Sequence, residues 1–564
     1  MPTARKPRST STSNVSRARR TATRTAVVAP LTSSLNARLG ARTEFRIYPS
    51  IGIARVGDCK DSFMIGPEGP GVVPSGPFRG ADKGLKPQAA RFRIYKVEID
   101  ANENETVVEE IIAGKDTKIE WSVSLANRKA AGLLISDTLQ RKPKPRLRNA
   151  DIKGLQRKKL VIAANGSVTG SGTRGPVLSG AIEFAKPRAK GEIVRDIVLA
   201  TLQTDEAGRL LVVGGPGKSG SPRNALIPSF SDNDGWYDSV SDGPVSATLH
   251  IRDQAQPVVP AWIVVTVPRY APGIYGIVTW YDQAVSMART RPDGRFDTPR
   301  TTSFTRDIYP ILKRADNLSG VHGQAHVNGP PPLSDAARIT GFGTAAKRAA
   351  VQSRLTRVGT EAESFEIPSP NMPRLNSGAN PDPDGPTFTF PALTRYQMAH
   401  IENWVNDNFD ADWPGSAPAP TPFEKIPVAQ QAWALCEAAL EACVGEPFFP
   451  GIEGTYDIAR VATYHPQSHL RREFRINPAH PAGFLTEKMA LPWQADFADC
   501  MDFWWPSQRP DNVTTKTGEK VRWDRDIVGP RRNAHLNMVD SWSRLGFVVR
   551  DAVTDKFVEV DRTL

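Results

Sequence analysis

The hydrophobic period changes once along this chain, and that change limits the folds open to it. Between Phe45 and about Val285, short β-branched and aromatic runs alternate with Gly/Pro turns: Arg91–Ile99, Lys118–Leu125, Ala247–Ile251 and Ala261–Val267. Alternation of this kind is the signature of strands. Apolar residues at three- and four-residue spacing come only later, over Thr394–Asn408 and Val428–Val444, with Thr394 placed to cap the first of these helices. A short helix is expected over Ser303–Lys313, and the Gly-, Pro- and Asn-rich stretch Asn317–Pro391 reads as a long irregular connection. The expectation is an α+β fold with a β-rich N-terminal half and a helix-and-loop C-terminal half. Its divisions are a β-rich domain over 44–310, an irregular connection over 311–390 and a helix-and-loop region over 391–564. With 564 residues, the chain exceeds the roughly 250–300 at which one core stops growing, so several lobes or one core with large insertions are expected.

Charge is unevenly spread. The whole chain carries 72 basic and 60 acidic side chains, a net +12. Residues 1–43 hold nine of those basic residues and no acidic one, which leaves 63 against 60 for the rest, or +3. That Ser-, Thr- and Arg-rich segment cannot form a core and reads as a disordered basic arm, expected to contact polyanions if it has a partner. It lacks the apolar stretch of a secretory signal, because Ala26–Ala29 stops at Pro30. No uncharged run approaches the roughly 18 residues needed to span a bilayer. No membrane contact is expected, and the location is expected to be cytoplasmic or reached by export without a cleavable signal peptide. Four cysteines, Cys59, Cys436, Cys443 and Cys500, are too few and too irregularly spaced for a disulfide framework or a paired CxxC zinc site.

Two motifs fail on inspection. Gly214–Gly220 (GGPGKSG) looks like a phosphate loop, but Val212 stands where the pattern needs glycine, so a glycine turn after an apolar strand is the better reading. His322/His326 and His465/His469 have helical spacing, but Gly323 and Pro466 disfavour regular helix there and no HExxH accompanies them, so no metal site is expected. The turn-rich stretch Asp232–Thr248 holds four carboxylates and two aromatics. It is open to two readings, a surface loop or a pocket-lining loop with Tyr237 as a hydrogen-bonding aromatic.

The densest region is Leu491–Pro506 (LPWQADFADCMDFWWP). If it is helical from about Gln494, then Asp496, Cys500 and Trp504 share one face. A lone cysteine among aromatics is usually a small buried hydrophobe. The adjoining carboxylate argues otherwise, because it costs several kcal/mol to bury unless paired or protonated. A carboxylate beside a thiol is a candidate acid/base site.

Seven blocks in order carry a family resemblance: Tyr48–Gly57 (YPSIGIARVG), Phe63–Glu68, Gln88–Tyr95, Trp121–Ala131 (WSVSLANRKAA), Ser241–Ala247, Gly445–Glu453 (GEPFFPGIE) and Pro492–Cys500 (PWQADFADC). Together they resemble the cysteine-tryptophylquinone amino-acid oxidases, the lysine ε-oxidase and glycine oxidase family, from about Arg46 to Val549. The resemblance implies a quinone made from the chain itself by bonding a cysteine sulfur to an oxidised tryptophan, with an aspartate four residues before the cysteine needed to build it. Cys500 and Asp496 match that pattern. The surroundings Met538–Val548 (MVDSWSRLGFV) make Trp542 the matching tryptophan, with Trp504 and Trp523 in reserve; local helix geometry alone would favour Trp504.

Amine oxidation needs an electron sink, and the chain shows neither a GxGxxG dinucleotide fingerprint nor a metal cluster. The resemblance implies that the quinone fills this role, with no metal and no bound flavin. The implied reaction converts an amino acid or amine and dioxygen to an aldehyde or oxo acid, ammonia and hydrogen peroxide. Asp496 is the expected base, and Tyr237 and His535 are expected pocket residues. A flavoprotein maturation partner and a homo-oligomer are also implied, while the choice between lysine, glycine and other substrates stays open. The alternative is a family member that binds amino acids or partners without oxidising them.

Overall fold

The computed structural model describes residues 41–139, 142–185, 192–291, 294–322, 343–352, 393–445, 451–466, 473–499, 505–527 and 534–564. Residues 1–40, most of the expected connection, Cys500 and Trp504 lie outside them.

The N-terminal half is one large sheet. Its strands are β1 (Arg42–Tyr48), β2 (Ile51–Arg55), β3 (Met64–Ile65), β4 (Gln88–Ile99), β5 (Glu105–Ile111), β6 (Thr117–Asn127), β7 (Ile162–Thr169), β8 (Arg174–Phe184), β9 (Glu192–Thr204), β10 (Leu210–Gly214), β11 (Ser241–Ile251), β12 (Gln254–Gln256), β13 (Val258–Val259) and β14 (Ala261–Thr266). The main path runs β7-β6-β11-β14-β2-β4-β10-β9-β8. Neighbours on it are antiparallel except β14 and β2, which pair in parallel with Trp262 opposite Ile51. The path nearly closes on itself. A Cβ on Gly180 of β8 would stand 2.7 Å from the carbonyl oxygen of Ala163 in β7, so only glycine lets the two end strands approach this closely.

Burial follows the sequence pattern. In β6, Ile119, Trp121, Val123 and Leu125 face inward while the residues between them are more exposed, as one buried face requires. The central strands β2, β10 and β14 are buried throughout and read as continuous apolar runs because both of their faces are covered. One hydrophobic cluster runs from Phe45 to Val548, so the two halves of the chain share a core.

The expectation of strands up to Val285 fails at its end. The sheet stops at Thr266, and Trp280–Ala288 is a helix, capped by Thr279, whose side chain accepts from the Asp282 N–H while Asp282 accepts from the Thr279 N–H. That reciprocal capping box specifies a helix start more strongly than the flanking aromatics specify a strand. The expected short helix begins as a wide turn over Phe304–Ile308, capped by Ser303, and continues as a helix to Asn317, four residues beyond Lys313. Thr394 caps the helix Arg395–Val405 as expected, and the next helix spans Val428–Glu441. Strand β1 starts at Arg42, inside the expected arm, where Arg42 pairs with Glu44 and Glu103. Among the described residues no helix is long and apolar enough to cross a membrane.

Glu441, at the end of its helix, accepts from the Gly71 N–H. Burial, reinforced by Glu437, pushes its carboxyl up to about 7. A carboxyl raised in the folded state stabilises the fold below its unfolded value of 4.5 and loses that contribution as pH rises through about 7. Glu441→Gln keeps an acceptor for Gly71 and cannot ionise. It is expected to gain on the order of 2–3 kcal/mol over the parent at pH 8 and nothing at pH 4, as read from paired melting curves at the two pH values.

Candidate active site

Two short helices carry the site. The first, α1 (Trp493–Asp499), holds Trp493, Asp496 and Phe497 on one buried stripe. Its N-terminal N–H at Trp493 donates to Asp238 Oδ2 at 3.1 Å, a carboxylate placed where the helix dipole favours negative charge. Asp238 is in turn held by Lys129 Nζ at 2.8 Å and Asn127 Nδ2 at 2.7 Å, and Lys129 also donates to the Ala490 carbonyl at 2.9 Å. Lys129 and Asp238 are fully buried. Burial drives the Lys129 ammonium below the ordinary lysine value, while the Asp238 carboxylate, and more weakly Asp496, push it back up. The start of the helix is therefore fixed by an ion pair sealed from solvent.

The stretch Asp232–Thr248 is accordingly not a solvated surface loop. Asp232 accepts from the Ile135 and Ser136 N–H groups and from Arg148. Asp242 accepts from Trp262, Leu485 and both donors of Thr486, and burial raises it to about 6. Buried carboxylates need such donors to offset their lost hydration, and those donors come from segments far away in sequence.

The second helix, α2 (Ala534–Ser541), runs into a tight turn, Trp542–Arg544. The Trp542 indole is 5% exposed, and its backbone carbonyl accepts from the Tyr270 hydroxyl. Trp493 packs edge-on against it at 5.2 Å between ring centroids and 71°, and Phe497 packs on Trp493 at 5.1 Å. On another side stands the glycine turn after β10. Gly217 has φ +68, and a Cβ there would fall 2.6 Å from Trp542 Cζ2 and 2.8 Å from Cη2, so only glycine suits both the backbone and the ring. Gln494 of α1 donates to the Gly217 carbonyl at 3.2 Å and accepts from Ser219 at 2.7 Å. Loop and helix thus hold the indole edge between them.

His535 ties the two helices together. Its Nδ1 lies 2.8 Å from the Ile227 carbonyl and its Nε2 2.9 Å from Asp499 Oδ2. An acceptor oxygen lies near each nitrogen, and the Asp499 carboxylate raises the His535 pKa above its usual value. Tyr237 exchanges two backbone hydrogen bonds with Gly220, at 3.0 and 2.9 Å, at the far end of the same glycine turn. Burial raises its phenol. Trp523 sits in a different packing environment: its indole N–H donates to the Gly546 carbonyl at 2.7 Å, and Arg509 covers its ring.

The structure thus sets Trp542 against Trp493 on the helix that carries Asp496, puts His535 beside Asp499 of that helix and pairs Tyr237 with Gly220 of the glycine turn; Cys500 follows the last described residue of α1. Sequence reasoning missed Lys129, Asp238, Gly217 and Gln494. The available signal was weak: Lys129 lies in the Trp121–Ala131 block, and Gly217 was legible only as a turn.

Known proteins match along most of this chain. The family models described as L-lysine epsilon oxidase N-terminal and L-lysine epsilon oxidase C-terminal domain match residues 48–265 and 374–523. The L-lysine 6-oxidase of Marinomonas mediterranea is 26% identical over 84% of this chain and 74% of its own length. Two solved structures of L-Lys epsilon-oxidase from the same organism share the fold. One, the Schiff base intermediate with L-Lys, superposes with a TM-score of 0.68 over 92% of this chain and 95% of that one at 21% identity. The other gives 0.69 at the same identity and coverage.

Proposed function

Since the chain belongs to the L-lysine epsilon oxidase family in both its halves, we propose that it oxidatively deaminates an amino acid with a quinone built from Trp542 and Cys500. The observation that carries this reading is the burial of Trp542 against α1, the helix that leads directly into Cys500. Two features of the described residues fit an oxidised indole at this place. The buried Trp493 Nε1–H, on the ring that packs against Trp542, has no acceptor among the described residues, a vacancy that costs about 1–3 kcal/mol unless an oxygen fills it. Gly217, having no Cβ, lets the chain pass close to the Cζ2–Cη2 side of the ring.

When present, the quinone supplies an electrophilic carbonyl and a sink for two electrons. The protein's own groups do the rest. Asp496, on the face of α1 that leads to Cys500, takes the proton from the carbon bearing the substrate amine, a placed base being worth about 10²–10⁴ in rate. The Lys129–Asp238 pair holds the start of α1, and hence Asp496, in position. Gly217 and Gln494 fix the ring edge, while Tyr237 and His535 bound the approach to it. The overall change takes one amino acid, dioxygen and water to an aldehyde or oxo acid, ammonia and hydrogen peroxide. L-lysine is the first substrate to test, because that is the substrate of the Marinomonas enzyme.

Protein co-produced with a flavoprotein maturation partner should yield a cross-linked peptide containing Cys500 and Trp542, heavier by two oxygens and lighter by four hydrogens than the two separate peptides. It should also release peroxide with an amino acid. Intact, unmodified Cys500 and Trp542 peptides from such a preparation would refute the proposal.

A further inference from the structure

Trp542 opens a tight turn, and side chains of the β-rich half hold that turn by its carbonyls. The last carbonyls of a helix have no partner within it and must find one elsewhere. Here α2 runs straight into Trp542–Arg544, and four carbonyls in a row are taken. That of Trp542 accepts from the Tyr270 hydroxyl. Those of Ser543 and Leu545 accept from the two terminal nitrogens of one guanidinium, Arg79 Nη1 at 2.6 Å and Nη2 at 3.0 Å. That of Arg544 accepts from the Thr563 N–H at 2.9 Å.

Tyr270 and Arg79 are themselves fixed. Tyr270 is fully buried; its N–H donates to the Gln508 carbonyl at 3.0 Å, and its carbonyl accepts from the Val548 N–H at 2.7 Å. Its ring packs on Trp523 at 4.8 Å, on Phe547 at 5.1 Å and edge-on against Phe497 of α1 at 6.4 Å between centroids. One side chain therefore packs against the helix that leads to Cys500 and bonds the residue that carries the indole. Burial raises its phenol well above the usual value, so it stays a donor. Arg79 follows Phe78, which stacks on Phe547 at 4.2 Å, and donates also to the Asp561 carbonyl at 2.6 Å. A carbonyl that loses its donor in such a place bears an uncompensated desolvation cost and turns toward another partner. The planar peptide turns with it, and the indole is redirected.

We infer that Tyr270 and Arg79 are positioning residues for the joining of Trp542 to Cys500: they hold the turn by its carbonyls and so fix where the indole stands against α1. The inference rests on the assignment of the redox group to Trp542 and Cys500. Neither residue touches a reacting atom, but a misplacement near 1 Å can cost about 10²-fold in the rate of a reaction between two held groups.

Tyr270→Phe keeps the ring and removes one donor. Co-produced with the maturation partner and purified as folded protein well below its melting point, it should carry the cross-linked Cys500–Trp542 peptide in a fraction lowered about fivefold or more, with the remainder as separate unmodified peptides. Arg79→Met should act in the same way, and it carries the test if Tyr270→Phe does not fold. Leu249→Ala is the control for stability alone. Leu249 is fully buried in β11 opposite Ile119, and its loss should lower the melting point at least as far while the chain cross-links as the parent does. Parental cross-linking in Tyr270→Phe and Arg79→Met, or an equal loss of cross-link in Leu249→Ala, would overturn the inference. A parent preparation with no cross-linked peptide would instead defeat the assignment of Trp542 and Cys500, and with it this positioning role.

Discussion

Asp496→Ala should give a folded chain in which Trp542 remains an ordinary indole. Asp496 is 3% exposed on α1, and removing a buried carboxylate relieves a desolvation cost, so the change in stability should stay within about 1–2 kcal/mol. The chemistry should not survive. On the proposed function Asp496 both helps to build the quinone and accepts the substrate proton. Activity should therefore fall by at least the roughly 10⁴-fold upper end for one placed base. Co-produced with the maturation partner, the variant should show parental far-ultraviolet circular dichroism, no visible quinone band, and separate Cys500 and Trp542 peptides of unmodified mass. A normal quinone band in this variant would remove Asp496 from any part in building the group.

The second large effect belongs to a residue that touches no reacting atom. Lys129→Met strands the Asp238 carboxylate in a site with no solvent access, leaving it only Asn127 and backbone N–H groups. Breaking one side of a buried pair costs about 3–5 kcal/mol. The urea midpoint should shift accordingly, and the yield of cross-linked peptide should fall because α1 loses its N-terminal anchor. Lys129→Met combined with Asp238→Asn removes both charges and should recover most of the lost stability. A double variant no better than the single one would mean that Lys129 acts by packing and not by charge. The two charges are separated by 109 residues in sequence, so the anchor is a tertiary contact between β6's end and the loop before β11.

The change of hydrophobic period told where strands give way to helices, and the structure agrees at β4, β6, β11 and β14 and at the helix capped by Thr394. It failed over Trp280–Ala288, where a two-residue capping box outweighed the aromatic run around it. Asp496 was legible because a carboxylate four residues from a cysteine shares a helix face with it. Trp542 came only from resemblance, since nothing local favours it over Trp504. The glycine turn at Gly214–Gly220 was legible as a turn, but the reason position 217 must be glycine is the ring of Trp542, which no local pattern displays.

By itself, then, the sequence determined the α+β division, the near-neutral body behind a basic arm, and the helix that carries Asp496 toward Cys500. Those features depend on neighbours within a few residues, where propensity, periodicity and capping act. Only the tertiary structure decided that Asp238 and Lys129 are an internal clamp, that His535 bridges the two site helices, and that Gly217 stands against the ring of Trp542. Burial made those choices. A charge or an indole has the same identity in the unfolded chain, and it gains its role when the surrounding fold removes water and leaves it particular partners.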